Sequence, residues 1–593
     1  MKRLFYGAWA GFVGGACGGV LAGLGEALLL ALTSSSLPDF GFVPYAVLGY
    51  GLFGALGGAG LGAVLATFGA GNLVGLPGGA VLGSIAFVVG RYHVDQRLFR
   101  EELSFGTFEG LVAHAVLLLV AGALFAGLAW IGARRARRPG WGIPAFLAVV
   151  ATASILVGGM RVADDTVRGA GPSVAAPAGG PNVVLIVVDT LRWDAVSANA
   201  DTANPTPAID SLAADGVRFE RAYAQASWTR PSIATILTSL HPSRHGATHK
   251  TALLRGSVLT VAEAFRDAGY WTRAFVSNIN VAPVFNFHQG FVEYTYLAPE
   301  FYFGATDTAA RLTLYKLLRM LRERFWADVI YPRNFYQDGR VVSDRAIRWL
   351  EENPRQPFFL FLHYMDPHDP YFEIPYSGKG VARVRDPSPD PSRRDELRSL
   401  YGRNTGYGDG EIGRVLEVLK KKGLYRDALI VLTSDHGEEF YEHRGWWHGT
   451  TLYEEQVHVP LVVKLPGNRS AGSVVRHPVR LLDVAPTLLG QAGLEVPEDF
   501  EGKDLFGDYT PPDLLWAEEE LEGNVLSAVR AGPWKLVLAN PGNPRGLDEV
   551  ELYHLGRDPG ETENLASRMP EKVEELLALA AGRGWSPPVA PSR

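Results

Sequence analysis

The most reactive candidate in this sequence is Thr229, whose hydroxyl lies at the start of a predicted helix. Pro231 suits the first turn of a helix, and the apolar residues after it recur at helical spacing up to Leu240. Free N–H groups and the helix dipole favour an anion at such an N-terminus. Thr229 is therefore a candidate nucleophile if a neighbouring group lowers its pKa. A threonine in this position is also a common helix cap, and both interpretations stay open at this point.

Aspartate and histidine residues follow three strongly apolar runs in the second part of the chain. Such runs alternate with helical patterns from Pro181 onward, which predicts an α/β domain with a largely parallel sheet. Open sheets of this class bind ligands outside the carboxyl ends of their strands, so these side chains are expected at one edge. The runs and the residues that follow them are 183–188 before Asp189, 358–362 before His363, and 429–432 shortly before Asp435 and His436.

Asp189, Asp435 and His436 together form a ligand set typical of a divalent metal such as zinc or manganese. A metal in contact with the hydroxyl of Thr229 would favour the alkoxide and make this side chain a nucleophile at neutral pH. Each residue also has an ordinary explanation, because an aspartate after a strand often forms a turn and a histidine often only packs. Because three strands each place an Asp or His at the same sheet edge, the metal-assisted site is favoured over these separate structural explanations.

The first 160 residues are almost free of charge and contain five apolar segments, each close to the length of about 20 residues that crosses a bilayer. These segments, which predict an all-α transmembrane domain, are 4–33, 43–69, 72–90, 109–133 and 141–160. Lys2 and Arg3 precede the first segment, and a group of arginines at 134–138 separates the fourth from the fifth. The positive-inside rule places both groups in the cytoplasm, so five crossings would leave the rest of the chain outside. The short connection after the second segment leaves open a re-entrant hairpin, which would change this count.

Charge and cysteine content limit the expected partners. The net charge of −7 and a pI near 6.1 provide no basic patch, so nucleic acid is not expected as a partner. The single cysteine, Cys17, excludes an intrachain disulfide.

Glu26 is the one acid of the first apolar segment, either a functional intramembrane group or an interfacial residue, and no role is assigned to it. Aromatic and basic residues are dense at 301–340, which indicates a lid, a membrane-facing patch or a helical insertion that packs on the core.

In the order and spacing of its motifs, the region 181–570 resembles the sulfatase family of the alkaline phosphatase superfamily. The matching segments are a first metal-binding strand at 181–192, a nucleophile helix at 227–246, a histidine segment at 361–371, a second metal-binding strand at 423–437, and later landmarks at 447–460, 483–487 and 551–561. The resemblance implies a mixed, mostly parallel sheet flanked by helices, with a small C-terminal α+β subdomain. The predicted divisions of the chain are a transmembrane domain at 1–160, a linker at 161–180, a sulfatase-like catalytic domain at 181–500, and a C-terminal subdomain and tail at 501–593.

The resemblance also implies roles for individual residues. The metal ligands carried over by position are Asp189, Thr229, Asp435 and His436. The residues that would hold the anionic group of the substrate are His363, His368 and His448. Thr229 would be the nucleophile, and His448 would also act in catalysis by activating water or protonating a leaving group. The metal would be zinc, manganese, calcium or magnesium.

Several departures from the family pattern bear on the reaction. Thr229 stands where a sulfatase has the cysteine or serine that is oxidised to an aldehyde, and oxidation of threonine would give a ketone. Ile233 replaces the family arginine, and Thr190 replaces a second acid after the first metal ligand. Residues 275–280 stand where a Gly-Lys-Trp-His segment is usual. Threonine nucleophiles belong instead to the phosphodiesterases and the phosphoethanolamine and phosphoglycerol transferases of the superfamily, and these transferases also have five transmembrane helices.

The sequence therefore predicts a multi-pass enzyme of the cell membrane with an extracytoplasmic catalytic domain. It would cleave or transfer phosphate esters, in phospholipid or envelope-glycan head groups, through a covalent phospho-threonine. Its partners would be this ester substrate and the lipid bilayer. The alternatives are an unusual sulfate-ester hydrolase and an inactive sulfatase-like binding module, and the filled ligand positions count against the second of these.

Overall fold

The computed structural model of the chain describes residues 2–33, 40–70, 72–98, 108–135, 142–158, 166–302, 305–306, 308–325 and 331–585. The chain divides into two units. The first unit contains Met1–Asp164 and Phe301–Ala327, and the second contains Asp165–Glu300 and Asp328–Arg593. Residues 301–327 therefore belong to the unit of the N-terminal helices, although they lie between segments of the second unit in sequence.

Within the described part of the first unit, α-helices lie at all five predicted apolar segments. They are α1 Lys2–Thr33, α2 Phe42–Thr67, α3 Gly75–Leu98, α4 Phe108–Arg135 and α5 Gly142–Gly158. Three described stretches are long and apolar enough to cross a membrane, namely Lys2–Thr33, Phe42–Thr67 and Val112–Ile131. A bundle of apolar helices is thus confirmed, whereas the number of crossings stays a prediction.

Glycines on α1 set its close approach to α2. A Cβ atom placed on Gly15 would lie 2.0 Å from the carbonyl oxygen of Gly54, and one on Gly11 would lie 2.1 Å from that of Gly58. Because no side chain fits at such distances, the backbones of the two helices are in direct contact. Contacts between small residues of this kind are typical of helices that pack within a membrane, where dispersion contacts rather than water exclusion hold helices together.

The second unit is built on a ten-stranded sheet. Its strands are β1 Thr166–Arg168, β2 Val183–Val188, β3 Val217–Tyr223, β4 Trp271–Val276, β5 Glu293–Tyr296, β6 Phe358–Tyr364, β9 Leu429–Ser434, β12 His458–Lys464, β13 Ser473–Val475 and β14 Val479–Arg480. Their order is β1-β5-β4-β6-β2-β9-β12-β3-β13, with β14 also beside β3. The five adjacent strands β5, β4, β6, β2 and β9 run parallel to one another, whereas β1 and β12 are antiparallel to their neighbours. This pattern confirms the mixed, mostly parallel sheet. Residues 166–168 of the predicted linker form the edge strand β1.

Helices cover both faces of this sheet, which explains why every residue of β2 is buried. One face packs against α7 Thr229–Thr238, α9 Val261–Asp267 and α14 Val484–Gln491, and the other packs against α6 Pro207–Asp215, α11 Gly339–Glu351 and α12 Arg394–Lys421. The remaining helices are α8 Pro242–His245, α13 Glu454–Val457 and α15 Pro570–Gly582 in the second unit and α10 Thr313–Phe325 in the first. Two short hairpins, β7 Tyr371–Phe372 with β8 Gly380–Val381 and β10 Glu439–Phe440 with β11 Trp446–Trp447, complete this part of the chain.

A second, antiparallel sheet of four strands follows, and α15 packs on it, which confirms the small α+β subdomain. Its strands are β15 Leu515–Leu521, β16 Asn524–Ala531, β17 Trp534–Ala539 and β18 Val550–His554. An ion pair joins this subdomain to helix α13, which directly precedes β12 of the main sheet. Lys535 Nζ lies 3.0 Å from Glu454 Oε1 of α13, and it also lies 2.8 Å from Glu561 Oε1 within the subdomain. His443 contributes a further link, because its Nδ1 lies 2.7 Å from Glu455 and its Nε2 lies 3.0 Å from the carbonyl oxygen of Gly560.

His443 makes the stability of this junction depend on pH. Burial lowers the pKa of His443, but its hydrogen bond and charge interaction with Glu455 outweigh burial and raise the pKa to about 9. Because the folded pKa exceeds the unfolded value of about 6.5, the stabilisation of about 3 kcal/mol is fully present below pH 6.5 and is lost as pH rises through 9. We expect His443→Gln to lower the melting temperature of the solubilised protein at pH 6 and to differ little from wild type at pH 10.

A suitable control is His477→Gln, because His477 stacks on Tyr509 and makes no ion pair within the described residues. Its effect on the melting temperature should not vary with pH. Thermal unfolding followed by circular dichroism provides the comparison. An equal loss of stability at both pH values in His443→Gln would contradict a charged His443.

Candidate metal centre and nucleophile

The candidate site lies at the carboxyl ends of three adjacent parallel strands. Val188, the last residue of β2, pairs in register with Tyr364 of β6 and with Ser434 of β9. The next residues of β2 and β9 are Asp189 and Asp435. The in-register pairing therefore brings these two carboxylates to neighbouring points on one sheet edge, as the sequence pattern predicts.

Asp189, Asp435 and His436 form a compact and fully buried cluster. Their ligand atoms all lie within 4.8 Å of one another, and none of the three residues has an exposed surface. His436 Nε2 lies 3.6 Å from Asp189 Oδ1 and 3.4 Å from Asp435 Oδ2. Each of these three atoms is buried and accepts or donates no hydrogen bond within the described part of the chain.

These three atoms fit a divalent metal. Buried polar atoms without a partner are costly, and here three of them, two carboxylate oxygens and an imidazole nitrogen, converge on one point. Burial and the charge of Asp435 raise the pKa of Asp189, and burial raises the pKa of Asp435 to about 7. A divalent cation would offset this repulsion, and the donor set suits zinc or manganese.

Thr229 lies directly beside this cluster. It is the first residue of α7, whose N-cap is Trp228, and its own hydroxyl donates to Asp189 Oδ2 at 3.4 Å. Thr229 is 1% exposed. The hydroxyl therefore lies both at the positive end of a helix and within reach of the carboxylate, so the geometry favours the nucleophile interpretation over the capping one.

The three predicted histidines also lie at this edge. His363 Nε2 is 3.6 Å from Asp189 Oδ2, and burial lowers the pKa of His363 to about 4. The rings of His368 and His448 are 4.8 Å apart, and the ring of His448 is 4.6 Å from that of His436. The structure thus brings all seven predicted site residues into one region.

His368 and His448 differ in their charge. Burial lowers the pKa of His368, but Asp189 and nearby carboxylates outweigh it and raise the pKa to about 9. Burial, together with the charges of His436 and His368, moves the pKa of His448 well below its ordinary value. Without a bound metal, these shifts favour a protonated His368 and a neutral His448 at neutral pH, a combination that suits an anionic substrate and a proton acceptor.

Two further residues of the site were missed in the sequence. The side-chain amide of Asn278 donates to Asp189 Oδ2 at 2.7 Å and to Thr229 Oγ1 at 3.2 Å. Glu438 Oε1 lies 3.0 Å from His448 Nδ1 and fixes the orientation of this ring. Asn278 lies in the segment 275–280 that replaces a family motif, and Glu438 follows His436 by two positions, so weak signals for both were present in the sequence.

The structure shows what the residues that depart from the family pattern contact. Thr190, at the position of the missing second acid, has a left-handed backbone with φ 59°, and its N–H donates to Asp435 Oδ1 at 3.2 Å. Ile233, at the position of the family arginine, lies in the hydrophobic core. Arg230 does not replace that arginine, because its guanidinium donates to backbone carbonyls of residues 249–252 and packs 3.5 Å from the centre of the Phe285 ring.

Comparisons with known proteins show which family this chain is similar to. A family model described as Sulfatase matches residues 181–494, more than half of the chain. An arylsulfatase of Clostridium perfringens (strain 13 / Type A) is 26% identical over 460 residues, which cover 67% of this chain and 93% of that protein. A solved 2-O GAG sulfatase has a TM-score of 0.54 at 19% identity and covers 70% of this chain and 95% of its own. A phosphonate monoester hydrolase of Agrobacterium radiobacter has a TM-score of 0.53 at 22% identity, with 68% and 96% covered.

Replacing Asp189 by Asn should weaken metal binding and change how stability responds to metal. We expect the affinity for zinc or manganese to fall at least about 100-fold. Mutation of residues that only hydrogen-bond to a metal ligand already lowers metal affinity by about 10–100-fold. In the metal-free protein the same change removes a buried negative charge, so the melting temperature should stay level or rise. Titration calorimetry and thermal unfolding of the full-length protein, with and without metal, measure both effects.

Asp344→Asn is the matched control, because Asp344 is a partly exposed carboxylate on α11. Metal should raise the melting temperature of wild type and of this control but not of Asp189→Asn. An Asp189→Asn protein that keeps both its metal content and its metal-induced stabilisation would contradict the assignment of the cluster.

Proposed function

The chain belongs to the sulfatase family, and from this premise we propose that it is a membrane-anchored, metal-dependent enzyme that cleaves or transfers phosphate esters through Thr229. Enzymes of this family act on sulfate or phosphate esters and use a metal ion. The proposal adds the nucleophile, the phosphorus chemistry and the membrane anchor. The observation that carries it is the position of Thr229 Oγ1, 3.4 Å from Asp189 Oδ2 at the N-terminus of α7.

Asp189, Asp435, His436 and Thr229 would hold the metal. When bound, the metal would stabilise the alkoxide of Thr229 and the negative charge on the phosphoryl oxygens. Asn278 orients the nucleophile, because its amide donates to both the threonine oxygen and Asp189. His363 and His368 line the side of the cluster where the anionic group of the substrate would bind.

The proposed reaction has two steps. In the first, Thr229 Oγ1 forms a bond to phosphorus, and the bond from phosphorus to the ester oxygen breaks. In the second, the oxygen of water or of an alcohol bonds to the same phosphorus and releases Thr229. Glu438 accepts a hydrogen bond from Nδ1 of His448, so Nε2 of this neutral ring would take a proton from the incoming hydroxyl, and the protonated His368 would give one to the leaving oxygen.

The identity of residue 229 favours phosphorus over sulfur. The aldehyde that serves sulfatases cannot form on threonine, since its oxidation yields a ketone, whereas an unmodified hydroxyl can attack phosphorus directly. A sulfate-ester hydrolase remains the second candidate, because the relatives of this chain include proteins named arylsulfatase and choline-sulfatase. An inactive binding module is disfavoured by the complete set of ligand residues.

The first unit supports the proposed membrane anchor and the proposed location of the active unit. Lys2 and Arg3 precede α1, and the positive-inside rule places this end in the cytoplasm. Residues 309–314 pack in one cluster with Ala27 and Leu30 near the opposite end of α1. Since these residues lie between Glu300 and Asp328 in sequence, the ester-cleaving unit is expected outside the cytoplasm, where lipid and envelope-glycan head groups are the proposed substrates.

The phospho-enzyme is the direct test of this function. We expect mass spectrometry of the Thr229 peptide to find a phosphoryl or phospho-head-group adduct after the protein is incubated with vesicles of phosphatidylethanolamine and phosphatidylglycerol. Thr229→Ala should lose the adduct, and Thr229→Ser should keep it because it retains a hydroxyl nucleophile. Release of sulfate from an aryl sulfate with no adduct on phosphate esters would instead establish the second candidate.

A further inference from the structure

A buried carboxylate in the first unit holds the start of helix α10. Glu26 lies about two turns before the C-terminal end of α1 and is 2% exposed. Its Oε2 accepts a hydrogen bond from the hydroxyl of Tyr50 at 2.6 Å, and its Oε1 accepts one from the backbone N–H of Thr313 at 2.7 Å. Thr313 is the first residue of α10, so the carboxylate satisfies a free N–H at the positive end of that helix.

The elements that meet α10 all belong to one end of the apolar bundle. A hydrophobic cluster joins the C-terminal part of α1, the N-terminal part of α2, the C-terminal part of α3 and residues 309–314. Consecutive helices that cross a membrane alternate in direction, so these three helix ends lie on the same side. The N-terminal end of α1, with Lys2 and Arg3, lies on the other side.

Aromatic side chains surround this end of the bundle. Tyr45 packs 6.3 Å from Tyr315, and Phe301 packs 5.9 Å from the same ring. Lys316 and Arg322 lie 4.3 and 3.9 Å from the ring centres of Tyr92 and Tyr302. Tyrosine and cationic side chains with long apolar stems are typical of the level at which hydrocarbon gives way to lipid head groups.

The exposed side of α10 combines the apolar side chains of Leu317 and Met320 with the basic side chains of Lys316 and Arg324, and Phe325 is the last residue of the helix. Leu317 is 42% exposed, Met320 is 54% exposed and Phe325 is 68% exposed. Leu317 and Met320 lie three positions apart and so share one side of the helix. The sequence of this helix carries one acid, Glu323, and four basic residues, which are Lys316, Arg319, Arg322 and Arg324.

We propose that α10 is an interfacial helix that binds anionic phospholipid on the side of the membrane opposite Lys2. This inference rests on the membrane anchoring proposed above. The free energy falls when exposed leucine, methionine and phenylalanine side chains leave water and enter the boundary between head groups and acyl chains. Each basic residue near an anionic surface adds an electrostatic attraction, which salt screens.

Glu26 has a positioning role in this arrangement. An amphipathic helix that only floats on a bilayer is free to move, whereas α10 is tied to α1 by the Glu26 carboxylate and to α3 by the contact of Lys316 with Tyr92. The described residues 308–325 are thereby fixed to the bundle and, by this proposal, to the lipid surface.

Quenching of a fluorescent label by lipid measures the depth of α10. The full-length protein, with Cys17→Ala to remove its single cysteine, receives Met320→Cys labelled with an environment-sensitive dye. It is placed in nanodiscs of equal parts phosphatidylcholine and phosphatidylglycerol that carry a doxyl quencher either near the head group or deep in the acyl chain. We expect the shallow quencher to be about twice as effective as the deep one, since interfacial helices lie near the head-group boundary.

Two controls separate this inference from the anchoring itself. Leu119→Cys, on the 75% exposed face of α4, should be quenched by the deep lipid. Protein-free discs with doxyl lipid, mixed with the labelled protein in plain discs, measure quenching without a shared bilayer. Quenching at 119 but not at 320 would overturn the role of α10 and leave the anchoring intact. Absence of quenching at both positions would overturn the anchoring and this inference with it.

The lipid class has its own test. We expect shallow quenching at 320 to fall in discs of phosphatidylcholine alone and at high salt. Arg324→Gln should weaken quenching in the mixed discs, while Lys421→Gln, which removes one exposed charge from α12 of the second unit, should not. Equal quenching with and without phosphatidylglycerol would contradict the assignment to anionic lipid.

Discussion

The interaction on which this site depends is the mutual repulsion of two carboxylates that are buried side by side. Asp189 and Asp435 are fully enclosed at the end of adjacent parallel strands, with His436 between them. Water cannot solvate these charges, and three of their polar atoms find no partner within the described residues. A counter-charge at its centre would relieve this repulsion, and a divalent cation is the counter-charge that this donor set suits.

The fold creates this repulsion and uses it. In-register pairing of β2 with β9 fixes the two carboxylates at neighbouring positions, and the start of α7 adds the hydroxyl of Thr229 to the same point. Asn278 then ties the hydroxyl and Asp189 together with one amide group. The proposed nucleophile, Thr229, therefore lies between a helix N-terminus and the proposed cation, both of which would favour its ionised form.

Much of this architecture could be read from the sequence because it depends on local patterns. Apolar runs that stop at Asp or His predicted the strands and the edge where the site lies, and the mixed sheet, the C-terminal subdomain and the membership of the sulfatase family are confirmed. Asn278 and Glu438 were missed, since their roles arise from side-chain contacts between distant segments, which no local pattern records. The same limit applies to residues 309–314, which pack on the apolar helices and contact the buried Glu26 through the N–H of Thr313. The strand at 166–168 lies within the predicted linker, since three residues that gain their stability from pairing with β5 carry little signal of their own.

The most direct test of the metal centre is anomalous diffraction from crystals of the full-length protein, collected at the absorption edges of zinc and manganese. The prediction is an anomalous peak in contact with the atoms of four residues, which are Asp189, Thr229, Asp435 and His436. A metal-loaded protein with no peak at this cluster, or with its peak at the cluster of Glu439, His443 and Glu455 instead, would contradict the account.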